Sequence, residues 1–287
     1  MSFLPQLRKA ISTLNPSEVR STAEQPVAIH LIASQASSYT AMADWLLPPG
    51  ISPAKRTEAS QMIYLAGELN KPPQFDVEIY AEDAIAPADA FIFRRDDPKK
   101  VVRQILDKHE QLGLPLARLF QPFREEVCTR LIHKVSLENA GFALATALPN
   151  IAPILGLTWA VGEFASDSVI LTMNQIRLTF LLGAANDHRV GYGEQRTEIG
   201  SIIAGAFGWR AVARELVGKI PMGGGLIPKA AVAYAGTFVV GKSLERYYRL
   251  GYKYTRGERR AAYEEAFEKG KVIAGGILDR IKSRKSA

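Results

Sequence analysis

The chain has 287 residues, 47% of them hydrophobic, with a net charge of +7 and a mean hydropathy of −0.03. That length holds one large or two medium domains, and a mean hydropathy near zero argues against a polytopic membrane protein. The single Cys128 excludes an intramolecular disulfide framework and fits a reducing compartment.

The first residues, MSFLPQLRKAISTLN, form a short amphipathic segment interrupted by Arg8 and Lys9, without the apolar core of a secretory signal. Leu4, Leu7 and Ile11 recur at helical spacing, and Asn15-Pro16-Ser17-Glu18 is a capped helix restart. Val27-Ala-Ile-His-Leu-Ile32 then reads as a β-branched strand buried on both faces of a parallel sheet. His30 inside it has no His, Cys or carboxylate at ligand spacing and reads as a core or edge histidine.

Strand, small-residue loop and helix Ala41–Leu47 follow one another in the order that a phosphate-binding loop uses. Laid on G-x-x-x-x-G-K-[ST], the chain has Ala33 and Ser38 for the glycines, Tyr39 for the lysine, and Thr40 intact. Without the lysine there is no charge for the phosphates, and without the glycines the loop lacks the backbone freedom to wrap them. Three further strands are expected at Met62–Leu65, Asp76–Tyr80 and Ala88–Phe93, separated by proline-rich turns. After the strand ending at Tyr80, Asp83 and Ala86 occupy the places of a D-x-x-G nucleotide switch, with Ala86 replacing the glycine. Asn70-Lys-Pro-Pro73 lacks the carboxylate of the guanine-reading N-K-x-D. Asp83 reads more simply as a helix or turn cap.

Asp96-Asp97-Pro98 opens a helix with Val101, Val102, Ile105, Leu106 and His109 as its buried stripe. Leu114–Lys134 continues helical, broken locally at Pro115 and Pro122. From Asn139 to Gly162 no Asp, Glu, Lys or Arg occurs. An unbroken helix of that length reaches across a bilayer core of roughly 30 Å. Pro149 and Pro153 near its middle would each cost about 3 kcal/mol inside a helix, which favours a hairpin of two short helices. Two readings are open: a buried helical core or a membrane-inserting hairpin. Ser168–Leu182 and Thr197–Val217 are expected as apolar helices, the latter with Gly200, Ala204, Gly205 and Gly208 permitting close helix approach. The glycine-rich stretch from Ile220 to Pro228 is a hinge, Lys229–Leu250 a nearly uncharged helix, and Gly251–Lys285 a charged amphipathic one. Tyr263, Phe267, Val272, Ile273, Ile277 and Ile281 are the apolar positions of that last helix.

From Lys242 onward thirteen basic residues face six acidic ones, so this tail carries the whole net charge. It is either a solvated helix face or a basic flank suited to an anionic, cytoplasmic membrane surface. Tyr247, Tyr248, Tyr252 and Tyr254 belong to no RNA-binding signature, so no nucleic-acid partner is expected. His30, His109, His133 and His188 are far apart, and no nucleophilic triad or metal set can be read locally.

Leu119-Phe120, Pro122-Phe-Arg124, Asn139-Ala140, Pro149, Ile151, Pro153, Ile220-Pro221, Ile227-Pro228, Ala233–Gly241 and Tyr247 together resemble the domain of unknown function 697. That domain occurs in YcjF-type inner-membrane proteins and is appended to Era-like GTPases. The resemblance covers roughly 115–255 and implies an apolar, membrane-associated helical bundle with no catalytic residues to carry over. It also makes the N-terminal part look like a reduced Era-type G domain. The expected organisation is thus α/β plus all-α, a small reduced P-loop-like parallel sheet followed by an apolar helical bundle. Its parts are an N-terminal helix and connector at 1–25, a G-domain-like region at 26–115, the helical domain at 116–255 and a basic helix at 256–287. With Ala33, Ser38, Tyr39, Thr40, Asp83 and Ala86 degenerate, a non-enzymatic pseudo-GTPase head without cofactor or metal is expected. Its partners would be the cytoplasmic face of the inner membrane, a protein, or both. Leu148, Ile151, Ile154, Leu155, Leu157, Trp159, Phe238, Val239 and Val240 are the expected membrane or oligomer contacts. The alternatives are a soluble homo-oligomeric helical scaffold and a residual GTP-binding protein using Thr40 and Asp83 for Mg²⁺.

Overall fold

A computed structural model describes residues 3–65, 72–147, 167–205 and 225–285. The expected contacts Leu148, Ile151, Ile154, Leu155, Leu157 and Trp159, the N-K-x-D position at Asn70 and Lys71, and most of the glycine-rich hinge lie outside these residues. The structure is 70% helical with a small parallel sheet of four strands. Contacts divide the chain into two compact units. One comprises Glu18–Thr129 and Ala184–His188, the other Met1–Ser17, Arg130–Gly183 and Arg189–Ala287.

In the first unit, α2 (Pro16–Ala23) leads into β1 (Ile29–Ile32), α3 (Ala36–Leu46), α4 (Pro53–Ser60) and β2 (Ile63–Leu65). Then follow β3 (Val77–Ala81), β4 (Phe91–Phe93), α5 (Pro98–Lys108) and α6 (Gly113–Leu119). The strand order is β2-β1-β3-β4, all parallel, with Ile29 opposite both Ile63 and Val77. Because side chains alternate along a strand, Ile29, Leu31, Val77, Ile79 and Ala81 share one fully buried face. Met42 and Leu46 of α3 are buried too, as are Val101, Val102, Ile105 and Leu106 of the expected α5 stripe, whereas its fifth member, His109, is half-buried just past the helix end. Trp45 packs on Phe93 and Phe123 at ring distances of 4.9 and 6.1 Å.

The opposite sheet face corrects the expectation for β1. His30, Tyr64, Glu78 and Tyr80 share it and are half-buried or exposed, so among the described residues this parallel sheet is less covered on that side. Among the described residues, neither the approach to β3 (72–76) nor the β3–β4 connection (82–90) supplies a covering helix. The break expected around Pro115 and Pro122 falls at Phe120. Both prolines sit in first turns, of α6 and of α7 (Gln121–Ala147), where the missing N–H is not needed.

The second unit contains α1 (Phe3–Ile11), most of α7, α8 (Asp167–Ala185), a helix α9 over residues 196–205, α10 (Leu226–Leu250) and α11 (Arg256–Lys285). Leu7 and Ala10 of α1 are buried with Phe142 of α7 and Val169, Ile170 and Met173 of α8. Ala231, Ala235 and Val239 of α10 pack on Tyr263, Ala266 and Phe267 of α11. Of the small residues expected to allow close approach, Gly208 lies outside the described residues and Gly200 does not make one. Gly200 has no neighbour within 4 Å of a built Cβ, whereas one on Gly241 would meet Ile132 at 2.8 Å, and one on Gly270 the Ala231 Cα at 3.0 Å. Val272, expected in the apolar face of α11, is instead 78% exposed.

Candidate functional site

In an open parallel sheet, ligands bind beyond the carboxyl ends of the strands where the strand order reverses. Here that point lies between β1 and β3, the two strands on which the degenerate nucleotide positions fall. The chain leaves β1 at Ile32 and enters α3 at Ala36, so only Ala33, Ser34 and Gln35 remain as loop. Ser38, Tyr39 and Thr40 are already helical, and the Thr40 hydroxyl donates back to the Ala36 carbonyl at 3.1 Å. That connection is shorter than the loop which the G-x-x-x-x-G-K-[ST] pattern forms around a phosphate.

The N-terminus of α3 is nonetheless occupied by an anion, supplied by the chain. Asp83 follows β3, and its carboxylate accepts the Gln35 N–H at 3.0 Å and the Ser38 hydroxyl at 3.1 Å. The Ser34 N–H points at the other carboxylate oxygen at 3.5 Å, while the Ser34 hydroxyl donates to the Asp83 carbonyl at 2.8 Å. Asp83 is therefore a cap, as its sequence context suggests, but of a helix 45 and more residues earlier in the chain. Arg95 adds a hydrogen bond to the Ser37 carbonyl at 3.2 Å. Ala86 lies in the same loop, next to Ile85, which is 98% exposed.

The second feature is a groove of about 550 Å³ running over the uncovered sheet face. Phe75, Glu78, Tyr80, Phe91, Lys108 and His109 are among its walls. His30 lies next to this face: Nδ1 is 3.3 Å from Glu78, its ring stacks on Phe75 at 4.4 Å, and Nε2 is buried without a hydrogen-bond partner. Burial and then the Glu78 carboxylate push the Tyr80 phenol up from its ordinary value. Lys108 is held by Asp89 at 3.0 Å and lies over the Phe91 ring at 5.6 Å. The surface offers carboxylate and phenol groups between aromatic rings, the chemistry of a polar contact surface. Among the described residues no cluster of three or more His, Cys, Asp or Glu is placed to hold a metal ion.

In the helical unit several buried polar side chains are paired with one another. The Asn139 amide donates to Thr237 at 2.7 Å, and its carbonyl accepts the Asn174 amide at 2.7 Å. Gln175 also reaches Thr237, at 3.4 Å, while Arg177 pairs with Glu138. These bonds tie α7, α8 and α10 together. Gln195 bonds the Thr179 carbonyl at 2.8 Å and the Tyr248 hydroxyl at 2.7 Å. The stretch Ser168–Ala185 is, among the described residues, the one helix long and apolar enough to cross a membrane, and 72% of it is buried. Of the expected membrane or oligomer contacts that are described, Val239 is buried, and Phe238 and Val240 are half-buried, with Phe238 stacked on Tyr234.

Sequence reasoning marked Asp83 and Ser38 but not their bond, and it missed the groove and the Asn139 network. The signal for the groove was the alternation Val77-Glu78-Ile79-Tyr80, which a strand buried on both faces would not show. Comparison of the chain with family models, curated proteins and solved structures gives no match.

Proposed function

We propose that this is a non-enzymatic interaction protein: a P-loop-like α/β head that docks a protein partner, joined to a helical scaffold associated with the cytoplasmic face of a membrane. The observation that carries the head's role is Asp83. Its carboxylate fills the helix N-terminus where a phosphate would sit, the connecting loop is too short to wrap one, and Tyr39 stands in place of the lysine. The groove on the uncovered sheet face supports a polar protein contact. Calorimetric titration with GTP and with ATP, each with Mg²⁺, is expected to give no heat at millimolar nucleotide. Binding there would overturn the reading in favour of a residual GTP-binding protein.

The membrane part is supported by the basic tail and by the uncharged stretch that begins at Asn139. Fractionation of native protein with an alkaline carbonate wash tests it: an integral or tightly held protein stays in the pellet. The soluble homo-oligomeric scaffold has one specific observation in its favour, the burial of Ser168–Ala185 inside a bonded polar network. A monodisperse detergent-free oligomer released from that pellet would select it.

A further inference from the structure

The turn joining α10 to α11 is preformed and carries an unusual set of exposed side chains. Gly251 takes a left-handed conformation with φ of 82°, and its N–H closes on the Tyr247 carbonyl at 2.8 Å, a position where a side chain would be strained. The Tyr254 N–H then bonds the Ser243 hydroxyl at 3.3 Å. Thr255 and Glu258 exchange hydrogen bonds at 2.8 and 3.3 Å, a capping box that starts α11. Arg246 locks the loop from below: it pairs with Glu258 at 2.7 Å and lies over the Tyr252 and Tyr254 rings at 4.7 and 5.1 Å. This pairing, followed by the Thr255 contacts, pulls the Glu258 carboxyl down to about 2.

The outer surface of this turn is amphipathic. Leu250 is 48% and Tyr252 53% exposed, an aliphatic and an aromatic residue flanking Gly251 in the turn. Arg249 precedes them, and Arg256 and Arg259 lie in the first turn of α11, all exposed and without an ion-pair partner among the described residues. Lys253 lies over the Tyr247 ring at 5.1 Å. Arginines seeking anions around an apolar tip match a lipid surface, where phosphates lie just above the acyl boundary and tyrosine sits at the interface. A polynucleotide would match the arginines and could stack on Tyr252, but it would leave the aliphatic Leu250 in water.

We propose that the α10–α11 turn is an anionic-lipid docking surface, with Leu250 and Tyr252 entering the headgroup layer and Arg249, Arg256 and Arg259 engaging lipid phosphates and carboxylates. This deepens, and rests on, the membrane reading above. The test is co-sedimentation of the full chain with vesicles of phosphatidylcholine alone and of phosphatidylcholine mixed with phosphatidylserine, at low and high salt. Each arginine near an anionic surface contributes roughly fivefold in affinity, so the Arg249→Gln, Arg256→Gln, Arg259→Gln triple variant is expected to lose roughly a hundredfold on the mixed vesicles. Leu250→Ser is expected to weaken binding at both salt concentrations, and high salt to weaken the wild type. All the substituted side chains are exposed, and an unchanged circular dichroism melt checks that the variants fold. Equal binding to both vesicle types, or a triple variant that binds like wild type, would overturn the turn's role while leaving the membrane reading standing. Binding to neither vesicle would also overturn it, with the carbonate wash deciding the membrane reading separately. Tighter binding to a single-stranded RNA probe, lost in the triple variant, would assign the arginines to nucleic acid instead.

Discussion

Replacing Asp83 by alanine isolates the feature on which the proposed role of the α/β head rests. The substitution removes the carboxylate that accepts from the Gln35 N–H and the Ser38 hydroxyl, and leaves the backbone bond to the Ser34 hydroxyl in place. A charged acceptor at a helix N-terminus is worth about 0.5–2 kcal/mol, and the hydroxyl bond adds about 1 kcal/mol. Asp83 is half-exposed, so water replaces part of what is lost, and the expected cost is about 2 kcal/mol. Asp83→Asn keeps an acceptor for Gln35 but not the charge, and about half that cost is expected. Trp45, packed on Phe93 and Phe123 in the same unit, reports the transition by fluorescence in urea, in a Trp159→Phe, Trp209→Phe background that silences the other two tryptophans. A double-mutant cycle with Ser38→Ala is expected to show coupling of about 1 kcal/mol. Asp83→Gly is expected not to restore nucleotide binding, because loop length and the absent lysine still forbid it. A loss below about 0.5 kcal/mol for Asp83→Ala, with no coupling to Ser38, would refute the capping argument.

Two glycines of α11 are expected to respond oppositely to alanine. Gly276→Ala, open on all sides, gains about 1 kcal/mol of helix propensity, while Gly270→Ala sets that gain against about 1–3 kcal/mol of overpacking on the Ala231 backbone at 3.0 Å. Thermal melts that rise for Gly276→Ala and fall for Gly270→Ala check this. Asn139→Ala leaves the Asn174 amide without its acceptor and removes one of two donors to Thr237 in a buried helix interface, for an expected loss of about 2–4 kcal/mol by denaturant titration. A loss under 1 kcal/mol, on the order of an ordinary surface change, would mean that water has replaced the bond. Burial opposes ionisation of Glu58, but hydrogen bonds from Arg118 at 2.5 Å and Lys55 at 3.1 Å outweigh it and hold the carboxyl below its ordinary 4.5. A lowered carboxyl contributes stability above its unfolded value that is lost as pH falls through the folded one. Glu58→Gln is therefore expected to flatten the fall in Trp45-monitored stability below pH 4.5, and an unchanged slope would contradict the pairing.

The elements themselves were largely legible. Ser17 bonding to Asn15, Pro98 opening α5 and the Val101–Leu106 stripe follow from caps, proline stereochemistry and helical periodicity, all of them local properties. So does the absence of the phosphate-binding lysine, whose place in the pattern Tyr39 takes. How the start of α3 is capped is not local. Asp83 meets Gln35 and Ser38 because parallel pairing of β1 with β3 brings two loop ends together across more than forty residues, and no spacing rule encodes that pairing. The uncovered sheet face likewise depends on what the connections around β3 leave unpacked.

Helix contacts show the same division. Small residues at Gly200, Gly241 and Gly270 look equivalent in sequence, yet only the last two meet a neighbour, because closeness is decided by which helix crosses there. Val272 reads as apolar stripe and ends exposed for the same reason. The sequence by itself determined most of the helix and strand inventory, the absence of the P-loop lysine and the concentration of basic charge in the tail, since each is a matter of residue type and short-range spacing. Tertiary structure alone decided that Asp83 caps α3, that Asn139, Asn174 and Thr237 satisfy one another, and that Arg246 holds Tyr252 at the tip of a turn. Those contacts exist only once distant segments have been packed into register.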